Sequence, residues 1–256
     1  MPAFFRSELV VIITGASSGI GQQAAKIFAQ RGVNNFCLTS KFDLTETEQL
    51  CLSVNDNINF VILKGDLTKP ETREQIFKET IQKFKRIDIL VNNAGRGIVG
   101  KILDMTMDQY HEIFEVNVTA TVHLTKLCLP YLRKTKGNIV ITSSAVADKN
   151  MPDLGFYSMS KATLNMFTKA LAQEEGPNGV RVNAVNPGAT NTPFIASVGI
   201  TPEVLMESVK TSHSIGRMAD PEEIAKVLVF VASDDASYMT GSCVLCDGGM
   251  MCQNLI

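Results

Sequence analysis

The sequence has no excess of charge of either sign. Its 256 residues contain 24 Lys and Arg against 26 Asp and Glu, and the two kinds are interspersed along the chain. A protein that follows a nucleic-acid backbone typically carries a basic stripe or patch on one face. We therefore expect no nucleic-acid partner.

Long hydrophobic runs are also missing. Residues 1–14 are rich in apolar side chains, but they contain no basic n-region and no small-residue cleavage site, and the apolar run is too short to cross a bilayer. The segment is typical of a lead-in followed by a first buried strand. We expect a cytoplasmic protein with no membrane partner.

Cysteine and histidine are too scattered to predict a metal site or a disulfide framework. The three histidines, His111, His123 and His213, share no spacing, and the six cysteines favour reduced thiols because no secretion signal is present. One close pair, Cys243 and Cys246, lies in a strand-like stretch. Residues three apart in a strand point to opposite faces, about 10 Å apart along the chain. That geometry closes neither a disulfide nor a metal clamp.

Short apolar runs alternate with longer amphipathic stretches along the whole chain. Strands are predicted at 9–14, 35–40, 59–65, 87–92, 137–143, 179–185 and 241–247, and helices near 19–31, 44–54, 70–86, 105–133, 157–175 and 221–233. Continuous apolar strands separated by helices are typical of a parallel sheet covered on both faces. With no linker composition in the chain, we predict one doubly wound α/β domain over 1–256.

Residues 190–215 interrupt this regular pattern. The stretch is long and broken by Thr, Ser and Pro, so we predict one short helix at most. Insertions of this kind are often lids over binding sites. We expect a substrate lid here.

A glycine-rich turn, "TGASSGIG" at 14–21, follows the first strand and opens the first helix. Gly15, Gly19 and Gly21 let the backbone turn tightly and approach a pyrophosphate, which the helix N-terminus attracts through its N–H groups and dipole. The position at the start of a doubly wound sheet raises the specificity of this weak motif. It predicts a nucleotide site.

The end of the second strand predicts which nucleotide binds. An acidic residue at this point bonds the ribose hydroxyls and repels a phosphate, but Ser40 and Lys41 stand here and the nearest acid is Asp43. A hydroxyl and an ammonium suit a 2′-phosphate, so NADP(H) is favoured over NAD(H). Two alternatives stay open, a solvated Lys41 and an inward-turned Asp43. Asp66, after the third strand, is expected to meet the adenine ring.

Six motifs together resemble the short-chain dehydrogenase/reductase family, and the resemblance covers essentially the whole chain to the "DGG" at 247–249. They are "TGASSGIG", "NNAG" (92–95), "EVNVTA" with Asn117, "IVITSSAVA" with Ser144, "YSMSK" (157–161) and "VNPGATNTPF" (185–194). The resemblance implies a nicotinamide-dependent oxidoreductase with a seven-stranded Rossmann-type sheet, usually a homotetramer or homodimer. It implies a cofactor site made of Gly15, Ser17, Ser18, Gly19, Ile20, Gly21, Ser40, Lys41, Asp66, Leu67, Asn93, Ala94, Gly95, Tyr157, Lys161, Pro187, Gly188, Thr190 and Thr192.

Tyr157 and Lys161 lie one helical turn apart on the same face. Hydride transfer to a carbonyl leaves negative charge on oxygen, so the protein must supply a proton. Lowering a phenol pKa from about 10 to about 7 needs about 4 kcal/mol, and a cation about 4 Å away supplies about that at a dielectric of 20. We expect Tyr157 to be the proton donor. In the family, the matching lysine also holds the nicotinamide ribose.

Two further catalytic positions follow from the resemblance. Ser144, at the end of the fifth strand, is expected to bond the substrate oxygen, and its neighbour Ser143 stays open as an alternative. The family counterpart of Asn117 binds a water that links the lysine to solvent. The "NPG" segment and Thr192 are expected to hold the nicotinamide carboxamide.

We favour an NADP(H)-dependent carbonyl reductase or alcohol dehydrogenase. The alternatives are a 3-oxoacyl-type reductase and a catalytically vestigial NADP(H)-binding sensor or scaffold, the latter opposed by the intact Ser144, Tyr157 and Lys161. A serine hydrolase is excluded, because no G-x-S-x-G elbow precedes a helix.

The substrate is predicted only as a class. Apolar residues are expected to face it, which indicates a lipophilic ketone, aldehyde, steroid-like or acyl compound, although about half of them are expected to pack the core or a subunit interface. They are Ile98, Val99, Met151, Leu154, Phe156, Phe194, Ile195, Val198, Ile200 and Met206. Gly155 and Phe156 are expected to be pocket wall.

Overall fold

A computed structural model describes residues 5–252, and its seven strands form one parallel sheet. The strands are β1 (Val10–Thr14), β2 (Asn35–Ser40), β3 (Asn59–Lys64), β4 (Ile89–Asn92), β5 (Asn138–Thr142), β6 (Arg181–Pro187) and β7 (Cys243–Cys246). Their order across the sheet is β3-β2-β1-β4-β5-β6-β7, and every neighbouring pair is parallel. The predicted fold class is confirmed.

Each face of the sheet packs against its own hydrophobic core, so consecutive residues of a strand contribute to different cores. In β1, Val11 and Ile13 belong to one cluster and Ile12 belongs to the other. This explains why the strands have continuous rather than alternating apolar sequences.

Helices cover the two faces. Helices α1 (Gly19–Gln30) and α9 (Pro221–Ala232) pack on one face, and α3 (Pro70–Phe84), α5 (Ala120–Thr135) and α6 (Gly155–Glu175) pack on the other. The remaining helices are α2 (Thr45–Leu52), α4 (Met107–Phe114), α7 (Pro193–Ser197) and α8 (Pro202–Ser212). Asp220 caps α9 in a capping box with Glu223, ahead of Pro221 in the first turn.

The prediction of one short helix at most in 190–215 was wrong, because this stretch contains two helices, α7 and α8. Each begins with a proline in its first turn after a threonine N-cap, and the Thr201 side chain accepts a hydrogen bond from the Val204 N–H. Proline at the first helical position starts a helix rather than breaking one. The prolines that indicated an irregular connection are therefore helix starts.

The predicted helix at 105–133 is also interrupted. A π-helical turn, Glu115–Thr119, lies between α4 and α5. Such turns insert one residue into the helical ladder and are frequent at functional sites. Here the turn contains the buried Asn117.

The strand order reverses between β1 and β4, and a doubly wound sheet opens a crevice at the carboxyl ends of the strands at such a point. All six cysteines are free thiols. Within 5–252, no helix is long and apolar enough to cross a membrane, and no cluster of three His, Cys, Asp or Glu side chains is arranged to hold a metal ion.

Candidate active site

The glycine turn lies between β1 and α1 and packs directly on the end of β4. Gly15 has φ +66° and Gly19 has φ +58°, both in the left-handed region that favours glycine. A Cβ on Gly15 would lie 2.9 Å from the Cα of Ala94. Ser18 caps α1 without a side-chain hydrogen bond. Positions 15 and 19 therefore favour glycine, and the turn forms a backbone cradle, a concave stretch of main chain beside the N-terminus of α1.

A hydrogen-bond network that sequence reasoning missed joins the ends of β1, β4 and β5. The Thr14 hydroxyl accepts from the N–H groups of Asn93 and Ala94, each at 3.0 Å. The Asn93 amide donates to the carbonyls of Thr14 and Gly15, each at 3.1 Å, and accepts from the Thr142 hydroxyl at 3.1 Å. Thr14 is the first residue of the glycine motif and the last residue of β1, and this position in the sequence could have identified it as a member of the network.

The predicted cofactor positions on β2 and after β3 come together. The Ser40 hydroxyl lies 2.7 Å from that of Ser17 in the glycine turn. Lys41 forms an ion pair with Asp66, Nζ to Oδ2 3.1 Å. The Thr68 N–H lowers the pKa of Asp66 most, and Lys41 lowers it further. Asp43 bonds the Thr45 N–H and hydroxyl instead of turning toward the glycine turn.

Helix α6 places Lys161 at the end of β5. Lys161 is 2% exposed, and its ammonium donates to the Thr142 carbonyl at 2.8 Å. It lies 5.5 Å from the centroid of the Tyr157 ring. Tyr157 is partly buried. The predicted pair is therefore close in space, at the carboxyl edge of the sheet beside the glycine turn.

The expected lowering of the Tyr157 pKa was wrong for the protein alone. Burial raises the pKa of Tyr157 to about 12, although a hydrogen bond with the Ser144 side chain acts in the opposite direction. Burial also lowers the pKa of Lys161 to about 8. The helical spacing of the two groups reveals their attraction but not the cost of removing both from water, and that cost decides the direction of both pKa shifts. The phenol is consequently protonated at neutral pH, and most of the ammonium is charged.

The two candidate serines have different partners. The Ser143 hydroxyl donates to the Lys161 carbonyl at 3.1 Å, which joins β5 to α6. The Ser144 hydroxyl bonds the Tyr157 side chain and lies 3.4 Å from the Pro187 carbonyl. The geometry therefore brings Ser144 to the phenol and gives Ser143 a structural bond.

Asn117 connects the π-helical turn to α6 and to the loop after β4. Its amide donates to the Ser160 hydroxyl and to the Arg96 carbonyl, both at 2.9 Å, and its oxygen accepts from the Arg96 N–H at 2.7 Å. A Cβ on Gly95 would lie 3.4 Å from Lys161 Nζ and 3.6 Å from Asn117 Oδ1. The absence of a side chain at Gly95 thus keeps open the space that both polar groups border.

The segment after β6 contacts both the segment after β7 and the glycine turn. A Cβ on Gly188 would lie 2.7 Å from the Cα of Asp247, and the Thr190 hydroxyl donates to the Gly188 carbonyl. Thr192 Cγ2 would lie 2.9 Å from a Cβ on Gly19, so the base of α7 touches the glycine turn. Ile20 and Leu67 are partly buried and pack against the two cores.

The predicted pocket residues lie in different environments, some in the core and some beside Tyr157. Phe156 is buried and packs edge-on against Tyr110, with ring centroids 5.2 Å apart, so its assignment to the pocket wall was wrong. Met151 and Leu154 pack beside a small buried cluster. Phe194, on α7, lies against the Tyr157 ring with centroids 5.7 Å apart.

Beside α6 lies a cavity of about 430 Å³ whose lining includes Gly155. Its wall contains Lys101, Asp104, Asn150 and Asp153 as well as Ile102 and Leu103, and it does not include Tyr157.

His213, which sequence reasoning set aside, follows the end of α8 and is buried, 3% exposed. Its Nε2 accepts from the Ala189 N–H at 3.4 Å, and its Nδ1 lies 2.9 Å from the Ser212 hydroxyl. Burial lowers the pKa of His213, while the Asp247 carboxylate opposes that shift. The neutral imidazole therefore attaches the end of α8 to the segment that follows β6.

Comparisons with known proteins agree with this geometry. The family model described as enoyl-(acyl carrier protein) reductase matches residues 15–251. A 3-oxoacyl-[acyl-carrier-protein] reductase of Thermotoga maritima is 33% identical over 244 residues, which are 94% of this chain and 97% of that protein.

Solved structures match over nearly the whole chain. A short-chain dehydrogenase/reductase of unknown function from Caenorhabditis elegans, with cofactor, is 33% identical, with a TM-score of 0.89 and coverage of 99% and 98%. The L-sorbose reductase of Gluconobacter frateurii, complexed with NADPH and L-sorbose, is 30% identical, with a TM-score of 0.90 and coverage of 98% and 100%.

The buried imidazole predicts a loss of stability in acid. Because the folded-state pKa of His213 is below the unfolded value of about 6.5, the unfolded chain binds the extra proton and stability falls as pH drops below about 6.5. His213→Gln keeps an acceptor for Ala189 but does not titrate. Urea unfolding between pH 8 and pH 5 should therefore show a smaller loss of unfolding free energy in the variant. Equal losses in the two proteins would contradict this role of the imidazole.

Proposed function

We propose a specific reaction for this chain, which belongs to the short-chain dehydrogenase/reductase family and is an oxidoreductase acting on alcohol or carbonyl groups. The proposed reaction is hydride transfer between NADP(H) and a lipophilic carbonyl or alcohol substrate. The observation that carries the proposal is the meeting of Tyr157, Lys161 and Ser144 at the sheet edge that also bears the glycine turn.

The glycine turn fits a dinucleotide. Gly15 and Gly19 adopt left-handed backbone conformations, and the hydroxyls of Ser17 and Ser40 link the turn to the end of β2. The N-terminus of α1 adjoins the turn, where its N–H groups attract a phosphate. When bound, the nicotinamide ring of the cofactor supplies or accepts the hydride. We propose that Asn93, Ala94 and Gly95, together with Pro187, Gly188, Thr190 and Thr192, border it from the strand ends and the lid.

Tyr157 is the proposed proton donor. In the reducing direction the substrate oxygen gains negative charge and must receive a proton. A pKa of about 12 keeps the phenol protonated and ready to donate. The Lys161 ammonium, with a pKa of about 8, stabilises the phenolate that remains. Ser144, bonded to the same phenol, is positioned to hold the substrate oxygen.

Proton resupply is assigned to Asn117 and Lys161. Both border the space that Gly95 leaves open. A water held there by the Asn117 oxygen would connect the buried ammonium with solvent.

The preference for NADP(H) rests on charge at the end of β2. Lys41 is a cation directly after the last residue of β2, and the Asp43 carboxylate is engaged by Thr45. The NADPH complex of the similar L-sorbose reductase agrees with this choice. Because Lys41 already pairs with Asp66, part of its attraction for a 2′-phosphate is offset.

A lipophilic substrate is supported by Phe194, whose ring lies against that of Tyr157, and by Val198, which borders Gly97 together with Phe194. The resemblance to a 3-oxoacyl-[acyl-carrier-protein] reductase keeps a 3-oxoacyl reduction as the second candidate. The intact Tyr157, Lys161 and Ser144 oppose a purely binding role.

We further propose a cytoplasmic homotetramer or homodimer. Met159 and Met166 are exposed apolar side chains seven residues apart on α6, and so lie on one face of the helix. A second copy of the chain would bury this face.

Tyr157→Phe should lower carbonyl turnover by about 100-fold or more, because it removes the proton donor. NADPH binding, measured by fluorescence titration, should stay nearly unchanged. The matched control is Tyr238→Phe, since Tyr238 is fully exposed. Retained turnover in Tyr157→Phe would refute the assignment.

Lys41→Ala should weaken NADPH binding by about tenfold, the lower end expected for a charge-assisted contact, and leave NADH binding unchanged. Calorimetric titration of both dinucleotides tests this, with the exposed Lys78→Ala as the control. Equal weakening of NADPH and NADH would exclude contact with a 2′-phosphate.

A further inference from the structure

The first lid helix, α7, closes on the proposed proton donor through Gly97. A Cβ on Gly97 would lie 2.8 Å from Val198 Cγ1, 3.0 Å from Phe194 Cζ and 3.5 Å from Tyr157 Cδ2. Three side chains therefore converge on the one residue that has none. Gly97 and Val198 are both buried.

Glycine at this position serves space rather than backbone conformation. The φ of Gly97 lies outside the left-handed region, so another residue would adopt its backbone without strain. A Cβ closer than about 3.0 Å to a neighbour forces that neighbour to move. The contact of α7 with Tyr157 thus depends on the missing side chain.

The two ends of α7 are held differently. At its start, Thr192 touches Gly19, and Thr190 bridges to Ala219. After its end comes Gly199, with φ +86° and open space around the position of its Cβ. The helix is attached beside the glycine turn and has room at the other end.

We propose that Phe194 and Val198 form an apolar gate that seats in the space left by Gly97, and that a substrate reaches Tyr157 by displacing the Phe194 ring. The gate determines specificity. A carbonyl compound with an apolar, phenyl-sized group next to the carbonyl replaces the contacts that Phe194 gives up, whereas a fully hydroxylated compound does not. This inference rests on the proposed carbonyl chemistry for its substrate class and on geometry alone for the gate.

Hydrogen exchange tests the gate independently of activity. Gly97→Ala should speed exchange of the amides at 193–198 by about tenfold, because the methyl prevents seating. Gly176→Ala is the matched control, since nothing lies within 4 Å of its Cβ position and its φ is not left-handed. In Phe194→Ala, exchange is already fast and adding Gly97→Ala should change it little, because the two residues share one contact.

Kinetics test the specificity. Phe194→Ala should lower KM for benzophenone by about fivefold relative to wild type and leave KM for acetone unchanged, since only the larger ketone must displace the ring. The gate is refuted if Gly97→Ala exchanges like wild type, or if its effect is as large in the Phe194→Ala background. Equal changes of KM for both ketones would overturn the specificity role. A wild type that reduces no carbonyl compound refutes the proposed function, and the exchange data still decide the gate.

Discussion

The burial of the Lys161 ammonium is the constraint on which the site depends. Removing a cation from water costs several kcal/mol unless hydrogen bonds replace the lost solvation. Here the Thr142 carbonyl accepts from the ammonium at 2.8 Å, and the Ser143 hydroxyl bonds the Lys161 backbone. Both partners lie at the end of β5, so the charge can be buried only where α6 meets the sheet edge. Tyr157, one turn earlier, is fixed by the same attachment.

From β5 the same edge extends to the glycine turn without a break. Thr142 bonds Asn93, and Asn93 bonds the carbonyls of Thr14 and Gly15. The proposed acid–base group and the proposed cofactor cradle thus share one hydrogen-bond network across three strands. Beyond the cradle, Thr192 touches Gly19 and carries α7 over Tyr157. Loss of a hydrogen bond in this network would move Tyr157, the proposed proton donor, relative to the glycine turn.

Much of this arrangement could be predicted from the sequence. Continuous apolar runs indicated the strands, because the five central strands are buried on both faces and cannot alternate. The edge strands β3 and β7 are only partly buried. The motif residues were found because six motifs occur in the order and approximate spacing of the short-chain dehydrogenase/reductase family. At most one short helix was expected in 190–215 because Pro193 and Pro202 were taken as interruptions, although each occupies the first turn of a helix.

Other features required coordinates. The raised pKa of Tyr157 depends on burial, which spacing along a helix does not reveal. The pairing of Lys41 with Asp66 joins residues after two different strands, and the role of Gly97 as a seat depends on α7. The π-helical turn at Asn117 interrupts a sequence whose apolar pattern is that of a continuous helix.

The most direct test of the central claim is oxidation of NADPH and of NADH by the wild-type protein against a panel of ketones and aldehydes graded in size and polarity. The account predicts turnover with apolar carbonyl compounds, faster with NADPH than with NADH at equal concentrations. Oxidation of neither dinucleotide by any member of the panel, in protein that binds NADPH, would contradict it.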